Sequence, residues 1–151
     1  MARLAILLLV SLTVVACSKP SPPAGRWMAH YESAGTMVDA RLEIGANGLV
    51  RVSALDLTDI QVSSDEDRVA LHGRLATDLS EGWGEVAPRP MDFDGKVFRK
   101  PGGFAHQMEW DPSTKQMKLV FYFGTQHSIS IPMHPVDDFT SDPWAKPPDT
   151  N

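Results

Sequence analysis

Residues 38–57 read VDARLEIGANGLVRVSALDL. Val38, Ala40, Leu42 and Ile44 alternate with Asp39, Arg41 and Glu43, the period-two pattern of a strand with one buried face. Gly45-Ala46-Asn47-Gly48 follows with turn residues able to take positive φ. The next segment carries Val50, Val52 and Ala54 on one side and Arg51 and Ser53 on the other. Its apolar phase then shifts to Leu55 and Leu57, which predicts a bulge or bend near residues 54 and 55. These residues read as an antiparallel hairpin.

The same alternation extends in both directions. Residues 27–33 (WMAHYES) read as the opening strand, and 59–63 as a short strand through Ile60 and Val62 that ends in the charged turn SSDED. Over 68–76, Val69, Leu71, Gly73 and Leu75 are expected inward, with Ala70, His72 and Arg74 outward. Residues 77–91 are irregular, with glycines around Trp83 and prolines around Arg89. Long connections of this kind are more often functional or disordered than idle. Extended structure resumes at 92–100 with Phe98 inward.

A second hairpin is expected from Phe104, His106, Met108 and Trp110 on one strand and Met117, Leu119, Phe121 and Phe123 on the next. Val120 and Tyr122 make the other face of that second strand partly apolar. In the final strand, residues 128–136, Ile129, Ile131 and Met133 share a side, while Pro132 and Pro135 predict an edge position or a ragged end. The total is about seven to nine strands and no helix, an all-β domain built as a small antiparallel β-barrel or two-layer β-sandwich.

Ahead of this domain stands MARLAILLLVSLTVVAC, residues 1–17, with a basic start, an apolar middle and a small-residue end. That is the layout of a cleaved secretory signal. The 13 residues between Arg3 and Cys17 fall short of the roughly 20 needed to span a bilayer. SKPSPPAG then stops any helix. The chain is expected to divide into a signal peptide (1–16), a lipidated Cys17 with a Pro/Ser-rich tether (17–25), one β domain (26–137) and an irregular tail (138–151) that contains Trp144.

Val14-Val15-Ala16-Cys17 resembles the lipobox of bacterial lipoproteins. The resemblance implies cleavage before Cys17, acylation of that residue and a membrane anchor. In that family Asp after the cysteine favours the inner membrane. Ser18 stands here, which implies the outer membrane, facing the periplasm. Lipidation also accounts for the single cysteine, which has no partner for a disulfide. The domain, with Gly25-x-Trp27 and its run of aromatic hairpins, resembles small lipocalin-like (calycin-like) barrels, which implies a capacity to carry a ligand.

Removing Arg3 from the 14 basic residues leaves 13 against 19 acidic ones, a formal charge of −6. That balance argues against nucleic-acid binding and against a polybasic membrane grip. Five histidines (30, 72, 106, 127 and 134) form no HExxH or close ligand pair, so they read as ordinary surface or half-buried residues, with no metal and no cofactor expected. No serine elbow, phosphate-cradling glycine loop or calcium-loop series is present. The leading expectation is a non-enzymatic lipoprotein that binds a periplasmic protein or envelope component, with Trp83, Arg89, His106 and Tyr122 as contact candidates. Its alternatives are a carrier of a small apolar ligand, and a hydrolase or lyase using His106 and a carboxylate.

Overall fold

The computed structural model describes residues 19–99, 107–123 and 127–139. The signal, Cys17, Phe104, His106 and Trp144 lie outside the described residues, and so do the expectations attached to them. Among the described residues there are eight strands and one helix: β1 (Gly25–Ser33), β2 (Thr36–Ile44), β3 (Val50–Leu57), α1 (Asp65–Trp83), β4 (Asp92–Phe93), β5 (Val97–Arg99), β6 (Gln107–Asp111), β7 (Gln116–Phe123) and β8 (His127–Val136).

All pairings are antiparallel, in the single order β3-β2-β1-β8-β7-β6-β5-β4. The result is an all-β domain with one open, strongly curled sheet. Trp27 on β1 meets Trp110 on β6 edge to face at 6.4 Å, although β8 and β7 separate those strands along the sheet. The inner face closes on one apolar cluster that includes Trp27, Leu42, Phe98, Met108, Leu119 and Ile131. A single bridge, with N–H···O distances of 2.8 and 2.9 Å between Val50 and Arg89, ties the segment ahead of β4 to β3.

The founding hairpin forms as expected. Gly48 takes φ +78°, and Asn47 Oδ1 accepts the Leu49 N–H at 3.1 Å to fix the turn. The bulge does not form, because the β2–β3 register runs unbroken from Ile44↔Val50 to Met37↔Leu57. The phase shift instead marks a change of burial side. Leu55 and Leu57 share the outer face with Asp39 and Met37, and α1 packs against β2 and β3 there.

The helix is the main departure from the sequence reading. Residues 68–76 are helical rather than a strand, and SSDED is a helix start rather than a turn. Ser64 caps the helix by accepting the Asp67 N–H at 3.1 Å, and Asp65, Glu66 and Asp67 occupy the first turn. That position suits anionic side chains because the backbone N–H groups there are unpaired and the helix dipole is positive. Leu75 and Leu79, one turn apart, are its buried residues, whereas Val69 is 71% exposed. Residues 59–63 form no strand, and the irregular connection is confined to residues 84–91.

β8 is not an edge strand. Residues 127–133 pair with β7 and residues 134–136 with β1, so each position has a neighbour on one side only. This hand-over explains how Pro132 and Pro135, which lack a donor, are accommodated in the middle of the sheet.

Candidate functional site

The β1–β2 turn is two residues long, Ala34 and Gly35, with φ of +48° and +77°. Ser33 therefore pairs with Thr36, and the register sets His30 directly opposite Asp39 on the outer face. His72 arrives from α1, one turn before the buried Leu75 that seats the helix. Three elements thus bring one carboxylate and two imidazoles together.

Asp39 Oδ1 lies 2.5 Å from His30 Nδ1, and Asp39 Oδ2 lies 3.0 Å from His72 Nδ1. The two imidazole rings meet at 4.6 Å and 63°. One potential ligand atom from each residue falls within a 4.8 Å span. Asp39 is only 4% exposed. Burial pushes its carboxyl upward, but the hydrogen bonds and positive charge of His30 and His72 outweigh that, and the group ends below its ordinary value of 3.8.

The same helix flank is held by further polar contacts. Arg68 reaches Glu32 at 3.1 Å. Arg41 Nη2 donates to Ser80 Oγ at 2.8 Å and to the Ala76 carbonyl at 3.4 Å. Arg51 donates to the carbonyls of Val86, at 2.8 Å, and Trp83, and its guanidinium lies 4.5 Å over the Trp83 ring. A helix with two buried leucines is thus seated on its sheet largely by polar contacts.

Between β1, β2 and this flank of α1 lies a cavity of about 480 Å³, walled by Asp39, Arg41, His72, Gly73, Leu79 and Phe139. It sits on the outer face of the sheet. Met108 is fully buried in the inner cluster, and Phe121 belongs to that cluster too.

The residues singled out from sequence are dispersed. Trp83 is half-buried at the end of α1, between Arg51 and Phe139, whose ring is 4.9 Å away. Arg89 exposes its side chain and joins β3 through its backbone. Tyr122 is exposed on β7. Neither His127 nor His134 belongs to the Asp39 cluster, and both are exposed. Treating every histidine as ordinary is corrected for His30 and His72. A histidine–carboxylate pair does exist, at Asp39. The sequence holds two signals that point toward it: the Ala34-Gly35 turn, which fixes His30 against Asp39, and the Ser64 cap followed by three acids, which makes His72 helical.

Comparison with protein-family models, with curated proteins and with solved structures gives no match to this chain. Its function is therefore argued from the geometry. A carboxylate between two imidazoles can hold a divalent ion through two nitrogens and an oxygen. The same carboxylate can also orient an imidazole as a general base.

Proposed function

We propose that this chain is a lipid-anchored envelope protein whose working centre, His30–Asp39–His72, binds a divalent transition-metal ion. The observation that carries the metal reading is the buried Asp39 carboxylate held by imidazoles from two other elements. Docking the helix needs only His72. β1 and β2 are already joined residue by residue through their backbones, so His30 is not needed to hold those two strands together. A shared site for an ion explains both imidazoles. Two nitrogens and one carboxylate oxygen suit zinc, copper or nickel better than calcium or magnesium, which prefer all-oxygen shells. The adjoining cavity leaves room for an exogenous ligand on the ion.

The anchor rests on residues 1–17 alone, whose charged start, apolar run and terminal Val14-Val15-Ala16-Cys17 support export and acylation. The cavity beside Asp39 and His72 favours a second reading, in which His72, oriented by Asp39, acts as a general base on a bound substrate.

Cobalt(II) titration of the purified chain tests the metal reading. A saturable visible absorption band at one equivalent, displaced by zinc and lost in His30→Ala and in His72→Ala, is expected. No band in the unaltered protein, or an unchanged band in both variants, overturns it.

A further inference from the structure

Arg41 lies on the wall of the same cavity and is 5% exposed. Its backbone is fixed in β2 two residues beyond Asp39, on the same outward side. Its charge has no ion-pair partner among the described residues. The neighbouring carboxylate, Asp39, is occupied by His30 and His72 and acts on Arg41 only through its field. Arg41 Nη2 has Ser80 and the Ala76 carbonyl, and the Phe139 ring stands 5.4 Å from the guanidinium carbon. Nε has nothing. It is the one buried side-chain nitrogen or oxygen among the described residues that lacks a hydrogen-bond partner.

A buried guanidinium with an unused donor is costly unless something completes it. Buried charges are ordinarily paired, and buried donors ordinarily bonded. The N–H groups of an arginine form a planar fork that matches the two oxygens of a carboxylate. The rest of the cavity is mainly apolar, with Met28, Val69, Ala76, Leu79 and Phe139 around it. Its size falls within the range of small-molecule sites.

Gly73 lies mid-helix on the cavity wall, and a Cβ built there meets no atom within 4 Å. Glycine weakens a helix by about 1 kcal/mol relative to alanine, and no packing constraint requires it here. Glu81, the remaining acid on the wall besides Asp39, is solvent-exposed and forms no ion pair with Arg41.

We infer that the cavity between β1, β2 and α1 is a binding site for a small organic carboxylate, with the acid group on the Arg41 guanidinium and an apolar body against Leu79, Val69 and Phe139. This site does not depend on an ion at His30–Asp39–His72.

The test is hexanoate binding to the purified full chain in EDTA, followed by calorimetry and by the ¹⁵N-resolved resonance of Arg41 Nε–H. Saturable one-to-one binding is expected, with a shift of that resonance as the carboxylate settles on the Arg41 guanidinium. Arg41→Lys keeps the charge but loses the fork, and weakens binding by about tenfold or more. Gly73→Leu adds bulk to the cavity wall at a position where a Cβ meets no atom within 4 Å, and weakens binding while the protein still melts cooperatively. It serves as the decisive variant if Arg41→Lys fails to fold. No saturable binding by the unaltered protein overturns the inference. So does full affinity in Gly73→Leu, or displacement of hexanoate by an equal concentration of inorganic phosphate. Because EDTA is present throughout, hexanoate binding stands or falls separately from the cobalt titration.

Discussion

Replacing Asp39 by asparagine keeps the size of the side chain and removes its charge. In the native protein the carboxylate accepts from two imidazoles, at 2.5 and 3.0 Å, with its side chain 6% exposed. Hydrogen bonds to a charged group contribute about 1.5–3 kcal/mol each, and neutral ones about 0.5–1.5 kcal/mol. Asparagine can accept from one imidazole through its carbonyl, while its amide group faces the other. The expected loss is about 2–4 kcal/mol, a large part of the roughly 5–15 kcal/mol that stabilises a typical domain. Asp39→Ala, which leaves both imidazoles without an acceptor, is expected to lose about 3–5 kcal/mol.

The assay is urea unfolding in EDTA, so that metal binding does not enter. The pH dependence follows from the direction of the Asp39 shift. Its folded pKa lies below the unfolded value of 3.8, so its stabilisation is present above that value and disappears as pH falls through the folded one. The gap between native protein and Asp39→Asn should be widest above pH 3.8 and close in stronger acid. An asparagine variant within about 0.5 kcal/mol of the native protein at neutral pH would refute the idea that this carboxylate binds the helix to the sheet.

Other consequences reach different parts of the chain. Cys17→Ala should abolish palmitate labelling and release the protein from the membrane fraction with its circular dichroism and melting unchanged; loss of folding would count against the anchor. Phe98→Ala, at the centre of the inner cluster and stacked on Phe93 at 4.3 Å, should lower stability by about 3–5 kcal/mol in denaturant unfolding. Asp94 accepts the Val97 and Lys96 N–H groups and Arg99, Asp111 accepts from Ser113 and Thr114, and each carboxyl is held down to about 2 from 3.8. What these turns contribute should therefore be intact above pH 3.8 and lost as pH falls through about 2, with Asp94→Asn and Asp111→Asn flattening that limb of an acid titration.

The strands were legible where one face met the core and the other met water, and also where the alternation of β2 continued beneath a cover. Val38 to Ile44 gave the inner face correctly, and Phe98 and Met108 proved inward as read. What sequence alternation could not supply was the second covering layer. Asp39 and Arg41 look solvent-facing because they are polar, yet α1 buries them to 4% and 5% exposure. The displaced apolar phase at Leu55 and Leu57 recorded that layer. Such a shift reads as a bulge wherever the covering helix leaves no apolar periodicity of its own.

That helix escaped notice for physical reasons. Val69, Leu71, Gly73 and Leu75 imitate a strand, while the real seat uses Leu75 and Leu79 together with polar contacts at Arg68, His72 and Ser80. A partly polar contact face leaves little apolar periodicity to find. The centre was hidden with it, since His30 and His72 are far apart in sequence and meet only when α1 lies on the sheet. Ser64 with Asp65, Glu66 and Asp67 was the available clue to that helix.

The most direct measurement for the central claim is zinc titration of the purified chain by isothermal calorimetry, repeated with the double variant His30→Ala/His72→Ala. One zinc per chain in the native protein and none in the variant is the predicted result. Absence of binding in the native protein, or equal binding in the two, would contradict a metal centre at His30–Asp39–His72.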